Sequence, residues 1–172
     1  MRYEQRIVLP AYAVAMIMIV FPVIDFVLQV WPPMLEQSSW RFGAIGIVSR
    51  LLITPFLGLL LVLVVAAWRE HLRVLQAFTV LNAMLVLAFL ALVVVFALDG
   101  LEVRALVTPE TADRFDLTAL VGLFKLGLAP ALALLYALAG WKISRSVARA
   151  ARSESGASIV APGALRGAGS SR

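Results

Sequence analysis

Four long apolar stretches, separated by short polar or proline-containing segments, dominate the pattern of hydrophobic and polar positions along the chain. They lie at about residues 7–31, 42–68, 74–98 and 117–141. A helix needs roughly 20 apolar residues to cross a ~30 Å hydrocarbon core, and backbone groups in lipid must be hydrogen-bonded within the same element. The pattern predicts an all-α integral membrane protein with four transmembrane helices in an up-down-up-down bundle.

The ends of these stretches carry residues typical of a membrane interface or of a helix end. Tryptophan prefers the interface because its ring is amphipathic. All four tryptophans lie at or beside the predicted ends: Trp31, Trp40, Trp68 and Trp141. Prolines 32 and 33 predict the end of the first helix, since proline has no amide hydrogen to donate. The pair Asp99-Gly100 predicts the end of the third helix, followed by a loop over 99–116.

The distribution of basic residues predicts the orientation of the four helices. Eight basic residues flank one side: Arg2, Arg6, Arg69, Arg73, Lys142, Arg145, Arg149 and Arg152. Three flank the other: Arg41, Arg104 and Arg114. Cytoplasmic loops are enriched in Lys and Arg, so both termini are expected in the cytoplasm. The expected location is the inner (plasma) membrane of a bacterial cell, as a multi-pass protein.

The C-terminal region differs in composition from the rest. Residues 1–152 form the predicted membrane domain, and residues 153–172 are rich in Ser, Gly and Ala, which predicts a disordered cytoplasmic tail. Four basic residues precede it at helical spacing: Lys142, Arg145, Arg149 and Arg152. If the fourth helix continues past Trp141, they form a basic stripe, which is expected to contact anionic lipid head groups.

Composition excludes several kinds of chemistry. Of the 172 residues, 62% are hydrophobic and 15% charged, with a mean hydropathy of +0.97. The excess over the roughly 45–50% apolar residues of a soluble domain requires lipid. The chain has no cysteine and one histidine, His71, so thiol catalysis is excluded, as is a haem held by two histidines of a single chain. No cofactor or metal is expected. No nucleic-acid partner is expected either, because the basic residues behind the net charge of +5 cluster beside the apolar stretches, where topology explains them.

Three charged residues lie inside the apolar stretches: Asp25, Arg50 and Lys125. At 1.5 Å per residue, they are expected roughly 9–12 Å from the outer ends of the first, second and fourth helices. Charges in hydrocarbon must be paired, hydrated or used in function. This cluster is the best candidate site in the sequence.

Two interpretations of the cluster remain open. In the structural one, Asp25 pairs with Arg50, Lys125 or both and fixes helix packing, or the cations extend towards the interface. In the functional one, two cations facing one anion leave a positive charge for an anionic ligand, which Arg binds in a bidentate manner and Lys as a point charge.

Other polar residues and prolines accompany this cluster. Gln29 shares a helix face with Asp25, Thr54 follows Arg50 by one turn, and Asn82 is the strongly polar residue of the third helix. Helix kinks are predicted at three prolines inside the stretches: Pro22, Pro55 and Pro130.

The sequence shows no catalytic constellation, so we do not expect an enzyme. The main expectation is a non-catalytic accessory, assembly or interaction subunit of the inner membrane. The alternative is a binder or transporter of an anionic or amphipathic small molecule or lipid at the Asp25, Arg50 and Lys125 site. The expected partners are the lipid bilayer and either another membrane protein or a second copy in a homodimer.

Overall fold

A computed structural model describes the backbone of residues 2–160 and the side chains of residues 7–153. The described chain is all-α and consists of five helices. They are α1 (Arg2–Val30), α2 (Ser38–Leu51), α3 (Ile53–Trp68), α4 (Leu72–Arg104) and α5 (Pro109–Val160).

Several of these helices are compatible with a membrane protein. Three are long and apolar enough to cross a bilayer, within Ile7–Val30, Leu72–Arg104 and Pro109–Ser153. The consecutive helices α2 and α3 qualify as a fourth when they are taken together. The all-α class and the apolar helices predicted from sequence are therefore confirmed, with three or four candidate spans among the described residues.

The second predicted stretch is two helices rather than one. The axes of α2 and α3 differ by 46° across Leu52. Pro55 explains the break, because it cannot donate to the carbonyl of Leu51 and its ring crowds that carbonyl. Helices α1 and α5 continue through Pro22 and Pro130, so Pro55 is the proline at which the helical path is interrupted.

The third and fourth helices are longer than predicted, and the loop between them is short. Helix α4 continues through Asp99 and Gly100 to Arg104, and α5 begins at Pro109. The prediction that Asp99-Gly100 ends the third helix was wrong because Asp99 is buried and paired, as described below. Helix α5 extends to Val160, eight residues into the predicted tail from residue 153; residues 161–172 lie outside the described residues.

Helices α4 and α5 form the most extensive contact between two helices. They pack antiparallel, with mostly large side chains of α4 against small side chains of α5. The inward residues of α4 alternate at spacings of three and four: Leu75, Phe78, Asn82, Leu85, Phe89, Leu92, Phe96 and Asp99. Opposite them α5 places small buried residues, among them Ala129, Ala133 and Ala137. A Cβ added at Gly140 would lie 2.7 Å from Thr79 Oγ1, so the two backbones approach closely there.

Helix α1 packs along α3 through a second close approach. A Cβ at Gly58 would lie 2.9 Å from the carbonyl oxygen of Ala15 and 2.9 Å from Ile19 Cγ1. Glycine at position 58 therefore permits the contact that attaches α1 to the rest of the fold.

The turn between α3 and α4 is a Schellman motif, in which amides beyond the helix bond to carbonyls of its last turn. The amide of His71 donates to Ala66 O at 3.0 Å, and that of Glu70 to Ala67 O at 3.2 Å. Glu70 has a φ of 54°, which is left-handed and favours glycine. The side chain of His71 lies 3.2 Å from the Tyr12 hydroxyl, which ties α1 to this turn.

Candidate functional site

Arg50 and Lys125 line one groove, which we call the cationic groove. It lies between α2 and α5, with Phe96 of α4 at its base, and has a volume of about 470 Å³. A second cavity of about 330 Å³ continues from it towards Phe56 and Tyr136, and shares Ser49, Arg50 and Lys125. The structure thus brings together two of the three charges predicted to form a site.

Neither cation of the groove has an acidic partner among the side chains that the structure describes. The salt bridges described within residues 7–153 are Arg41–Asp99 and Arg104–Asp116. The hydroxyls in the groove wall are already bonded to backbone, Ser49 to Gly46 O and Thr118 to Arg114 O. Arg50 and Lys125 are therefore the polar groups of the groove that remain available to a ligand.

The groove is apolar apart from these groups. Phe42 and Phe96 stack at its base with ring centroids 4.5 Å apart. A Cβ at Gly46, which also lines the groove, would meet nothing within 4 Å. Two cations above an apolar, partly open cleft suit a ligand that carries both a negative charge and an apolar part.

Asp25 lies in a different cleft. Its neighbours across that cleft are Leu51 and Thr54, and the space between α1 and the bent pair is about 340 Å³. Asp25 is exposed and forms no ion pair with Arg50 or Lys125 in the described chain. The predicted pairing of Asp25 with either cation is thus not present, because α1 packs along α3 on the side away from α5.

The three supporting polar residues divide between the surface and the interior. Gln29 and Thr54 are exposed on the same side as Asp25. Asn82 is fully buried. Its Nδ2 donates to Phe78 O at 2.9 Å, whereas its Oδ1 has no hydrogen-bond partner within the described residues. Asn82 is thus a packing residue of α4 rather than part of the cationic groove.

A partly buried ion pair next to the groove was not predicted from the sequence. Arg41 donates from Nε to Asp99 Oδ2 at 3.0 Å and from Nη2 to Asp99 Oδ1 at 2.6 Å. Its Nη1 donates to Leu35 O at 2.8 Å. The Asp99 side chain is only 4% exposed. This bidentate pair attaches the start of α2 to α4, and so positions one wall of the groove.

A second ion pair closes the α4–α5 connection. Arg104 Nε donates to Asp116 Oδ1 at 2.5 Å, and the two side chains are 40% and 52% exposed. Phe42 also stacks on Phe115 with centroids 5.4 Å apart. These contacts hold α2, α4 and α5 together at the end of the molecule that contains Asp99.

The predicted basic stripe lies on one continuous helix, since α5 passes Trp141 without a break. Its four residues are all exposed: Lys142, Arg145, Arg149 and Arg152. The Arg145 guanidinium lies 3.8 Å from the centre of the Trp141 ring, a cation–π contact. This arrangement is compatible with contact to an anionic surface.

Comparisons with protein families, with curated proteins and with solved structures return no match to this chain. The groove and its charges are therefore the features from which a function is proposed below.

Proposed function

We propose that the protein crosses the inner (plasma) membrane of a bacterium four times, with both termini in the cytoplasm. In this arrangement α2 and α3 form one bent span in an up-down-up-down bundle. The excess of basic residues beside the turn at residues 69–71 and after Trp141 supports this orientation.

The function that the geometry supports best is binding of an anionic amphipathic molecule in the cationic groove. One observation carries this proposal: Arg50 and Lys125 line the same groove, and neither has an acidic partner among the described side chains. Charges within a bilayer are expensive when they are not compensated. A ligand's negative group supplies the missing compensation.

The shape of the groove favours a lipid or lipid-like anion. Its two connected parts of about 470 and 330 Å³ lie within the ~300–1,000 Å³ of typical ligand sites. The Arg50 guanidinium suits two oxygens of a phosphate or carboxylate, and the Lys125 ammonium adds a point charge. The apolar wall accommodates a hydrocarbon chain beside the charged group.

This function is non-catalytic, and the ligand serves as cargo or as a structural lipid. At the other side of the membrane, the basic stripe is proposed to contact anionic head groups of the cytoplasmic leaflet. These two contacts would fix the depth and tilt of α5.

A role as an accessory or assembly subunit is the second candidate. The observation that favours it is the exposed carboxylate of Asp25, which faces outward between α1 and the bent pair without a cation in the described chain. A membrane partner with a complementary charge would neutralise it.

The test of the binding proposal is the melting temperature of purified protein in a neutral detergent. Phosphatidylglycerol, phosphatidylcholine and soluble glycerol phosphate are added separately. Ligand at about 100 times its Kd stabilises a protein by ~2.7 kcal/mol. We expect stabilisation by the anionic lipid, none by the zwitterionic lipid, and stabilisation by glycerol phosphate only if the charged group alone suffices.

Variants connect any stabilisation to the groove. The double variant Arg50→Gln, Lys125→Gln should fold and lose the effect of phosphatidylglycerol. Arg114→Gln removes an exposed cation of α5 outside the groove, and it should respond like the original protein. Equal stabilisation of all three proteins would show that the lipid acts elsewhere.

A further inference from the structure

The bent pair α2–α3 exposes a strip with opposite charges on its two flanks. The strip consists of Ile53, Thr54 and Leu57, all exposed. Thr54 also lines the cleft of Asp25. Arg50, Ile53 and Leu57 line the cavity that contains Lys125 on the other side. The strip therefore lies between one anionic and one cationic flank.

The charges on the two flanks lie at similar positions along the bundle. Thr54, which lies in the cleft of Asp25, follows Arg50 by one helical turn, which corresponds to about 6 Å along the axis. The long side chains of Arg50 and Lys125 can cover this offset. Asp25 nevertheless forms no ion pair with them within one copy of the described chain, because the strip separates them.

We propose that this strip is the contact surface for a second copy of the chain, related by a two-fold axis along the membrane normal. Such an axis keeps equivalent residues of the two copies at the same depth in the membrane. It also places the anionic flank of one copy opposite the cationic flank of the other. The partner's Asp25 then lies opposite Arg50 and Lys125, and the same contact recurs on the other side of the axis. Two unpaired carboxylates and four unpaired cations become two mixed-charge clusters.

Charge complementarity favours a second copy over an unrelated partner. A single docking contact with another protein would need a basic residue opposite Asp25 and an acidic one opposite Arg50 and Lys125. A second copy supplies both groups at the required depth. Each cluster retains one positive charge in excess, so dimerisation is compatible with an anion in the groove and does not depend on it.

The absence of cysteine from the chain permits a direct test by disulfide cross-linking of purified protein in vesicles. Ile53→Cys places a thiol in the strip, where the side chain is 72% exposed. Leu87→Cys is the matched control on α4, at 70% exposure and away from the strip. We expect several-fold more cross-linked dimer from Ile53→Cys. Equal yields from the two variants, or none from Ile53→Cys, would overturn the proposal.

Charge reversal tests the pairing itself in the Ile53→Cys background. The first variant carries Asp25→Lys, and the second carries both Arg50→Glu and Lys125→Glu. Each variant by itself should lose most of the cross-linked product, because like charges then meet across the dimer interface. A mixture of the two variants should restore the cross-linked product as a heterodimer, since both charge clusters of the heterodimer then contain opposite charges. Loss without restoration, with circular dichroism of both variants unchanged, would contradict the pairing of Asp25 with the partner's cations.

Discussion

Burial sets the difference between the two ion pairs near the α4–α5 connection. The Asp99 side chain is 4% exposed, whereas that of Asp116 is 52% exposed. Exposed pairs contribute little to stability because water and salt screen them. Removal of the carboxylate from the Arg41–Asp99 pair is more costly, because it leaves Arg41, whose side chain is only 31% exposed, without its partner.

Substitution of the two acids should therefore have unequal effects. We expect Asp99→Asn to lower the melting temperature in detergent about threefold more than Asp116→Asn, since Arg41 loses its carboxylate partner and keeps at most one acceptor oxygen there. Circular dichroism at 222 nm measures both transitions. Similar decreases in melting temperature for the two variants would show that the Arg41–Asp99 pair does not attach α2 to α4.

The sequence contained a signal for the burial of Asp99, but Gly100 beside it led to the prediction of a helix end at this position. Asp99 continues the alternating three- and four-residue spacing that begins at Leu75 and includes Phe96. Residues in that register face a neighbouring helix, so burial of Asp99 was predictable. The separation of Asp25 from Arg50 was not, because depth follows from position along a helix, whereas the facing direction depends on which helices pack together.

Among the helices, the contact between α1 and α3 depends on the absence of a side chain at Gly58. Gly58→Ala adds a Cβ that would lie 2.9 Å from the Ala15 carbonyl oxygen, and a backbone atom cannot move without shifting its helix. We expect a loss of about 1–3 kcal/mol of unfolding free energy, although alanine is the better helix former.

Gly127→Ala is the matched control for this effect. A Cβ at Gly127 meets nothing within 4 Å, so its substitution should leave the melting temperature unchanged or slightly higher. If Gly58→Ala were as stable as Gly127→Ala in thermal unfolding, α1 would not pack closely on α3.

The turn after α3 offers a stabilising substitution. Glu70→Gly should raise the unfolding free energy by about 0.5–1 kcal/mol, because a φ of 54° is strained for a residue with a Cβ. Glu70→Ala retains the Cβ and should give no such gain. Thermal unfolding of the two variants checks the difference, and a lower melting temperature for Glu70→Gly than for Glu70→Ala would contradict the assignment.

The helices were predicted correctly where hydrophobicity alone determines them. The prediction failed where the end of a helix depends on pairing with another helix. Four apolar stretches were recognisable because lipid requires long apolar helices. The bend at Leu52 follows from Pro55, whereas α1 and α5 continue through Pro22 and Pro130. Neighbouring helices can compensate a proline within a membrane, and that compensation is a tertiary property.

For the whole molecule, the bend between α2 and α3 is compatible with two topologies, a bent span and a re-entrant pair of helices. If the pair crosses the membrane, the segments before and after it lie on opposite sides. If it re-enters, they lie on the same side. The proposed topology predicts that Gln37→Cys is labelled by an impermeant maleimide on spheroplasts, whereas Glu70→Cys and Ser153→Cys are labelled only after permeabilisation. Equal labelling of positions 37 and 70 would contradict the fourth span.

A steric block tests whether an anionic amphipathic molecule occupies the cationic groove, while leaving every charge in place. Gly46→Leu projects into the groove, where a Cβ meets nothing within 4 Å, and Gly127→Leu adds the same side chain at an equally open position outside it. Native mass spectrometry measures bound phosphatidylglycerol on each protein. We predict that Gly46→Leu loses the bound lipid and that Gly127→Leu keeps it. Equal lipid occupancy of the two variants would contradict binding of the lipid in the cationic groove.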